Sequence, residues 1–189
     1  MPDNHYTQKS FWLNTYGPYT PNASLQGDLT VDVAIIGGGY TGLATAYFLK
    51  QAEPTMRVAV LEGEVVGYGA SGRNGGFAMT LFGLEPAVTA ALFGKQRTAE
   101  AHHYCERSVD LVRDLIREHA MQSDFEYTGF LRLATTRGFV KRIQHDLEIL
   151  TSQGITGLAW IAQAEARAEV NSPLVLGAWR ERWCTSNRP

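Results

Sequence analysis

An apolar run, a glycine triplet and a segment of helical periodicity follow one another in the first third of the chain, and this order constrains the fold most strongly. Residues 31–36 are mostly β-branched and apolar, which is typical of a parallel strand buried on both faces. Three glycines end that run, apolar residues then recur at helical spacing up to Pro54, and residues 57–61 repeat the strand pattern. Such an order within roughly 30 residues predicts a βαβ unit of a doubly wound α/β fold.

Gly37, Gly39 and Gly42 form a GxGxxG pattern at the turn between the first strand and the helix. In dinucleotide-binding folds the first glycine permits the tight turn, the second lets a pyrophosphate approach the backbone, and the third lets the helix pack closely on the strand. Tyr40 and Thr41 open the helix, where free N–H groups attract phosphate. These five residues are therefore predicted to bind a dinucleotide.

Glu62 ends the second strand, 20 residues after Gly42. A carboxylate at this place accepts hydrogen bonds from ribose hydroxyls, and it repels a 2′-phosphate, which argues against NADP. FAD and NAD present the same adenosine, ribose and pyrophosphate. The first motif therefore does not distinguish between them.

A second glycine-rich run, Gly-Ala-Ser-Gly-Arg-Asn-Gly-Gly at residues 69–76, follows Glu62 and is expected at the same carboxyl edge of the sheet. Its backbone N–H groups and Arg73 suit a pyrophosphate or ribityl chain. Gly75 and Gly76 would let a flat ring lie against the backbone. A nicotinamide enzyme has no need of such a run, so it favours a flavin. The candidate residues here are Ser71, Arg73, Asn74, Gly75 and Gly76.

Three segments carry a family resemblance: VDVAIIGGGYTGLATAYFLK, VAVLEGEVVGYGASGRNGGF and DFEYTGFLRLATT. They resemble the D-amino-acid oxidase superfamily of flavoenzymes, and most closely its bacterial branch that includes gamma-glutamylputrescine oxidoreductases. The likeness runs from about Ser10 to about Trp179. It implies FAD, held noncovalently or covalently, and oxidation of the C–N bond of an amine or amino acid by hydride transfer to the flavin.

The chain divides by pattern into a turn-rich N-terminal arm (residues 1–30), an FAD-binding βαβ unit with following helices (31–124), a partial substrate domain (125–179) and an atypical tail (180–189). Residues 125–135 alternate between apolar and polar, which indicates an antiparallel strand with one exposed face. That face is expected to carry Glu126, Thr128 and Arg132. The resemblance assigns that strand to a substrate-domain sheet, so the expected fold is α/β with an incomplete antiparallel sheet. Further helices are predicted near 97–119, 140–150 and 163–170, and strands near 158–161 and 174–179. Phe11, Trp12, Tyr16 and Tyr19 are expected to anchor the arm.

Charge and cysteine content argue against several classes of protein. The net charge is −2 and acids and bases are mixed, so no basic surface for nucleic acid is expected. Two cysteines outside any CxxC suit a cytoplasmic protein without a disulfide or zinc framework. The N-terminal residues and the short apolar runs lead us to expect neither a secretory leader nor a membrane span. His102 and His103 point about 100° apart on a helix and do not share a metal easily, so no metal site is expected.

Members of this superfamily are longer than 189 residues, and the last ten residues do not match the family's continuation. The sequence therefore predicts an N-terminal fragment. Two functions remain: an FAD-dependent oxidoreductase acting on a small amine or amino acid, or a catalytically silent nucleotide-binding remnant. A third, an NAD-binding domain of a dehydrogenase, is disfavoured by the second glycine-rich run. The catalytic residues and the oligomeric state are left open.

Overall fold

The computed structural model describes residues 6–17 and 19–182 of the chain. The chain divides into two compact units between Phe77 and Ala78. Most of the predicted tail, including Trp183 and Cys184, lies outside the described residues.

The first unit contains the predicted βαβ arrangement. Strands β1 and β2 are parallel, with Val33 opposite Val58 and Ile36 opposite Leu61. The helix between them begins directly after the glycine triplet and ends before Pro54, as the sequence predicts. The elements are α1 (Phe11–Thr15), β1 (Val33–Ile36), α2 (Tyr40–Ala52), β2 (Val58–Leu61) and a 3₁₀ turn (Ala70–Gly72).

An ion pair at the amino ends of the two strands helps to fix their register. The Asp32 carboxylate accepts from the backbone N–H of Arg57 at 2.8 Å, and the Arg57 guanidinium donates to it at 2.9 and 3.2 Å. These hydrogen bonds, with the charge of Arg57, lower the pKa of Asp32 to about 2. The contacts hold the two strand ends side by side.

The prediction that the first strand is buried on both faces is wrong. Ala34 and Ile36 are exposed, and the Ile36 side chain is 81% exposed. Helix α2 packs on the face that carries Ile35, where Gly42 lies. Among the described residues the sheet has two strands, and the face of Ile36 is left open. An apolar strand pattern states what a strand is able to bury, and the burial itself depends on the elements that pack on it.

The second unit is built around a three-stranded antiparallel sheet in the order β3-β5-β4. The predicted strands and helices of this region are present, with ends shifted by a few residues. Helix α3 was not predicted: it starts with Pro86 at its first turn and ends at Gly94. The elements are α3 (Pro86–Phe93), α4 (Lys95–Glu118), β3 (Phe130–Ala134), α5 (Arg137–Thr151), β4 (Leu158–Ala162), α6 (Gln163–Glu169) and β5 (Gly177–Glu181).

Strand β3 is shorter than the predicted 125–135. Of the side chains predicted for its exposed face, Glu126 and Thr128 are exposed but precede the strand, whereas Arg132 is not exposed. Leu131 and Leu133 pack against a buried cluster that includes Ile161. On the opposite face Arg132 is largely covered, because its guanidinium contacts the carboxylates of Glu85 and Asp146. Apolar clusters occupy both sides of the sheet; the first contains Trp179, Ile143 and Leu150, and the second Ile161, Val175 and Ala178.

A buried carboxylate connects three elements of the second unit. Asp146 on α5 is fully buried and accepts from the backbone N–H of Ala87 in the first turn of α3 at 2.9 Å. It also lies 3.4 Å from the guanidinium of Arg132, which contacts Glu85 at 2.5 Å. Burial raises the pKa of Asp146, although the Ala87 bond and the Arg132 charge act in the opposite direction. This group ties α3 and α5 to β3.

Helices α3 and α4 lie in the second unit, against α5. The division near residue 124 between a cofactor-binding part and a substrate domain stays a prediction. None of the described helices is long and apolar enough to cross a membrane.

Candidate nucleotide-binding site

The turn between β1 and α2 requires glycine at two positions for steric reasons. Gly37 has φ +105°, a conformation that side chains with a Cβ rarely adopt. A Cβ on Gly42 would lie 2.0 Å from the carbonyl oxygen of Gly37 and 3.3 Å from Ile35 Cγ2. The first turn of α2 therefore packs directly on the end of β1, and this close approach is the geometry that a dinucleotide-binding turn needs.

The predicted ribose ligand, Glu62, lies beside this turn. Its Oε2 accepts from the backbone N–H of Gly38 at 2.7 Å, and its Oε1 accepts from the N–H of Glu64 at 3.1 Å. These bonds, chiefly the one from Gly38, lower the pKa of Glu62 and keep it ionised. The side chain is half-buried. A carboxylate oxygen accepts more than one hydrogen bond, so Glu62 retains acceptor capacity for hydroxyl groups.

The second glycine-rich run contacts the first motif through Ser71. The Ser71 Oγ accepts from the backbone N–H of Tyr40, the first residue of α2, at 2.9 Å. A Cβ on Gly39 would lie 2.9 Å from the same oxygen. Gly67 adds a second link, because its N–H donates to the carbonyl of Gly38 at 3.0 Å. The two runs, far apart in sequence, therefore meet at the start of α2.

Residues 67–72, which overlap the start of the second run, repeat the geometry of the first glycine motif. Gly67 has φ +78°, and a Cβ on Gly72 would lie 2.0 Å from the Gly67 carbonyl oxygen, the same distance that separates the Gly42 position from the Gly37 oxygen. The sequence interpretation did not include Gly67 or Gly72 among the site residues. The signal was present, since residues 67–72 read Gly-Tyr-Gly-Ala-Ser-Gly, a second GxGxxG.

The polar side chains of this run have different surroundings. Asn74 is used within the loop: its Nδ2 donates to the Ser71 carbonyl and its Oδ1 accepts from Gly76 N–H, both at 2.7 Å. Arg73 is exposed, and its guanidinium carbon lies 4.4 Å from the centre of the Tyr68 ring. Asn74 therefore shapes the loop, whereas Arg73 presents its charge at the surface.

The flat ring that lies against Gly76 is the indole of Trp12. Gly76 has φ +75°, and a Cβ there would lie 2.4 Å from Trp12 Cζ2. The Trp12 Nε1 donates to the carbonyl of Asn74 at 2.9 Å. Of the arm aromatics, Phe11 and Tyr16 are largely exposed, so Trp12 makes the contact that was expected of the group. Trp12 is absent from the predicted site, since no sequence pattern connects it to residue 76.

The remaining predicted residues also lie in the first unit. The ring of Tyr40 is exposed, and its contribution is the backbone N–H described above. Thr41 is exposed, and its carbonyl accepts from the Thr45 hydroxyl at 2.7 Å. Gly75 is exposed at the surface of the loop. The structure thus assembles the glycine turn, Glu62 and the second run within residues 37–76.

The second unit contains a buried polar group that the sequence did not predict. His102 is buried, with its Nε2 3.8 Å from Glu181 Oε1 and 3.9 Å from Glu106 Oε1. The Thr80 hydroxyl donates to Glu181 at 2.6 Å. Burial raises the pKa of the nearby Cys105 thiol, so it is not an activated nucleophile. Within residues 6–17 and 19–182, no three His, Cys, Asp or Glu side chains group closely enough to hold a metal.

Comparison with known proteins gives a family match over most of the chain. The family FAD dependent oxidoreductase (DAO) matches residues 32–186. Gamma-glutamylputrescine oxidoreductase of Escherichia coli (strain K12) is 28% identical over 169 residues, a match that covers 89% of this chain and 39% of that protein.

Solved structures show the same fold over a similar stretch. L-proline dehydrogenase from P. horikoshii matches with a TM-score of 0.56 and 25% identity, over 86% of this chain and 37% of that one. Glycine oxidase from Bacillus cereus ATCC 14579 matches with a TM-score of 0.54 and 23% identity, over 80% of this chain and 38% of that one. The chain therefore spans about two fifths of the length of the proteins that it matches.

Proposed function

The chain belongs to the DAO family of FAD-dependent oxidoreductases, and on that premise we propose that its first unit binds the adenosine diphosphate part of FAD in the oxidation of an amine or amino acid. One observation carries the proposal. The ionised carboxylate of Glu62 lies at the end of β2 and is bonded to Gly38 in the glycine turn. The proposed acceptor for the ribose hydroxyls and the proposed phosphate-binding turn thus lie together at the carboxyl ends of β1 and β2.

The residues present fit this part of FAD. The turn at Gly37 and Gly42 places the start of α2 against β1, and a helix start attracts phosphate through its N–H groups and partial positive charge. Glu62 supplies acceptors for two ribose hydroxyls. An anionic carboxylate beside the ribose repels a 2′-phosphate, so the site favours an adenosine without that group.

The second run is proposed to line the phosphate and flavin side of the cofactor. Ser71 holds the run against the start of α2, and Arg73 places a cation at its surface. Gly75 leaves its exposed backbone accessible to a ligand. These roles extend the binding surface from the adenosine end along residues 71–76.

The chemistry when FAD is bound is acceptance of a hydride from the carbon that bears the substrate nitrogen. The residues of this chain bind and orient the cofactor, and no catalytic group is assigned among them. The names of the relatives include gamma-glutamylputrescine, L-proline and glycine, all with an amine nitrogen, which supports an amine or amino acid as the substrate class. The proposal includes a partial substrate domain beginning near residue 125 and a cytoplasmic location, which the sparse cysteine content favours.

A second candidate is a nucleotide-binding chain without turnover. One observation favours it: the face of Ile36 is open among the described residues. Both candidates share the adenosine site. They differ in whether an amine reduces the bound flavin.

Titration of the purified chain with FAD, followed by competition with ADP and with FMN, tests the binding part. We expect ADP to displace FAD and FMN to compete poorly, because FMN lacks the adenosine that Glu62 would bind. Equal competition by FMN and ADP would contradict the adenosine assignment. Addition of amines under anaerobic conditions then separates the candidates: bleaching of the flavin spectrum supports the oxidoreductase, and an unchanged spectrum supports the silent chain.

A further inference from the structure

The residue before α1 attaches the N-terminal arm to the second glycine-rich run. Ser10 is buried, and its hydroxyl donates to the carbonyl of Gly72. The same oxygen accepts from the backbone N–H of Leu13 at 3.1 Å and so caps the start of α1. One side chain therefore both starts the helix and joins it to the loop.

Two further arm residues contact the same run. Trp12 donates to the Asn74 carbonyl at 2.9 Å and lies where a Cβ on Gly76 would be. Lys9 Nζ donates to the Tyr68 hydroxyl at 3.3 Å. The arm contacts thus extend along the run, about 60 residues away in sequence from each partner.

These contacts orient peptide groups of the run. A trans peptide is planar, so its C=O and N–H point in opposite directions. The carbonyl of Asn74 points at the Trp12 indole, and the N–H of Gly75, in the same peptide, therefore points away from the arm. Gly75 is exposed. The arm accordingly determines which side of the loop presents a hydrogen-bond donor.

We propose that Ser10 and Trp12 are positioning residues of the cofactor site, which hold residues 72–76 so that the Gly75 N–H faces the flavin side of bound FAD. This rests on the proposed function, because it assumes that the second run contacts the cofactor beyond its adenosine end. Gly76 is then glycine to admit the Trp12 ring, and the indole acts through the loop without touching the cofactor.

A contact that only stabilises the first unit and a contact that positions the loop predict different affinities for FAD and ADP. Loss of a contact that stabilises the whole unit weakens the binding of FAD and ADP alike, because both ligands need the folded turn and Glu62. A contact that orients only residues 72–76 affects FAD and spares ADP, since ADP lacks the flavin part. The ratio of the two dissociation constants therefore distinguishes the roles.

The test compares Trp12→Phe with Tyr16→Phe in the full chain. Trp12→Phe keeps an aromatic ring and removes the Nε1 donor, whereas Tyr16 belongs to the same arm and is 72% exposed. The dissociation constants of FAD and ADP are measured by calorimetry, and amide hydrogen exchange of residues 69–77 is measured without ligand. Ser10→Ala supplies a second variant, which removes a different contact to the same run.

We expect FAD to bind Trp12→Phe about tenfold more weakly, the effect of losing one orienting hydrogen bond. ADP affinity should stay unchanged, and exchange of residues 69–77 should become faster; Tyr16→Phe should match the unmodified chain. Unchanged FAD affinity, or equal losses for FAD and ADP, in both Trp12→Phe and Ser10→Ala would overturn the inference while leaving the proposed function intact. If the unmodified chain binds no FAD, the proposed function fails and the inference fails with it.

Discussion

The Oε2 atom of Glu62 accepts a hydrogen bond from the backbone nitrogen of Gly38 at 2.7 Å, which joins the end of β2 to the glycine turn after β1. The bond keeps the carboxylate ionised and fixes its direction beside the turn. A group in this position is prepared to accept further bonds without a change of protonation. The binding of adenosine is therefore expected to depend on Glu62 more than on any other acid of the first unit.

Replacement of Glu62 tests this dependence. Glu62→Arg should weaken FAD binding by about 1–3 kcal/mol, because a charged acceptor of hydrogen bonds is lost. Glu53→Gln, which changes an exposed acid at the end of α2, is the matched control and should bind FAD normally. Fluorescence titration measures both. Equal affinities for the two variants would show that Glu62 does not bind the ribose.

The glycine turn predicts a stronger effect from a side chain at residue 39. Gly39→Val places a Cβ 2.9 Å from the Ser71 hydroxyl oxygen and fills the space in which a pyrophosphate would approach the backbone. We expect FAD binding to be abolished, with a loss greater than that from any histidine substitution. His145→Ala, at an exposed position of α5, serves as the comparison. Retention of normal FAD quenching by Gly39→Val would mean that the turn does not cradle phosphate.

The ion pair between Asp32 and Arg57, at the start of β1 and β2, predicts that the stability of the chain depends on pH. The pKa of Asp32 falls from 3.8 to about 2 on folding, so its contribution to stability is present above pH 3.8 and is lost as the pH falls towards about 2. Asp32→Asn should therefore be less stable than the unmodified chain near neutral pH, and the difference should shrink across that window. Urea unfolding at several pH values measures it, with Asp28→Asn as control. A difference that stays constant down to pH 2 would contradict the assignment.

The buried carboxylate of the second unit predicts a loss of stability. Asp146→Ala removes the acceptor of the Ala87 N–H and one of the two carboxylates that contact the Arg132 guanidinium. We expect the free energy of unfolding to fall by about 1–3 kcal/mol. Glu148→Ala, on the exposed side of the same helix, should change it little. Thermal or urea unfolding tests the pair, and equal stability of the two variants would show that Asp146 contributes nothing.

If the second candidate function is correct, the chain of 189 residues is expected to bind flavin without oxidising amines. Hydride transfer needs the substrate carbon held close to the ring in a water-poor pocket. The described residues of the first unit supply an adenosine site, a glycine-rich run and a two-stranded sheet with one open face. The test is an absorbance scan of the purified chain followed by a peroxide assay with a panel of amines. Substrate-dependent peroxide from a stoichiometrically yellow protein would refute the expectation.

The elements of the first unit were predictable because their signals are local. A β-branched run, a glycine triplet and an acid at the end of the next strand are each read from a few neighbouring residues, and the structure places them within one or two positions of the expected ends. The exposure of Ile36 was not predictable in the same way. It depends on which other elements pack on that face, and the strand pattern does not contain that information.

The contacts of the arm show the same limit. The Trp12 ring lies in the space that a side chain on Gly76 would fill. No local sequence pattern predicts this contact, because it forms only when two distant segments of the chain fold together. Helix α3 was missed for a different reason. It spans Pro86–Phe93 and has no polar face, so its sequence lacks the apolar and polar periodicity by which a helix is recognised. Arg132 was expected in water, and only the packing of α3 and α5 supplies its carboxylate partners.

The bond between Ser71 and Tyr40 implies that ligand binding at the start of α2 is an exchange. The Ser71 hydroxyl satisfies the first N–H of the helix, as a phosphate oxygen would. A phosphate that takes this N–H must displace the hydroxyl, so the net gain in binding free energy is the difference between two hydrogen bonds. The same serine therefore holds the loop against the helix and lowers the net affinity for anions. Ser71→Ala should loosen the loop and cost little affinity for a phosphate that binds there.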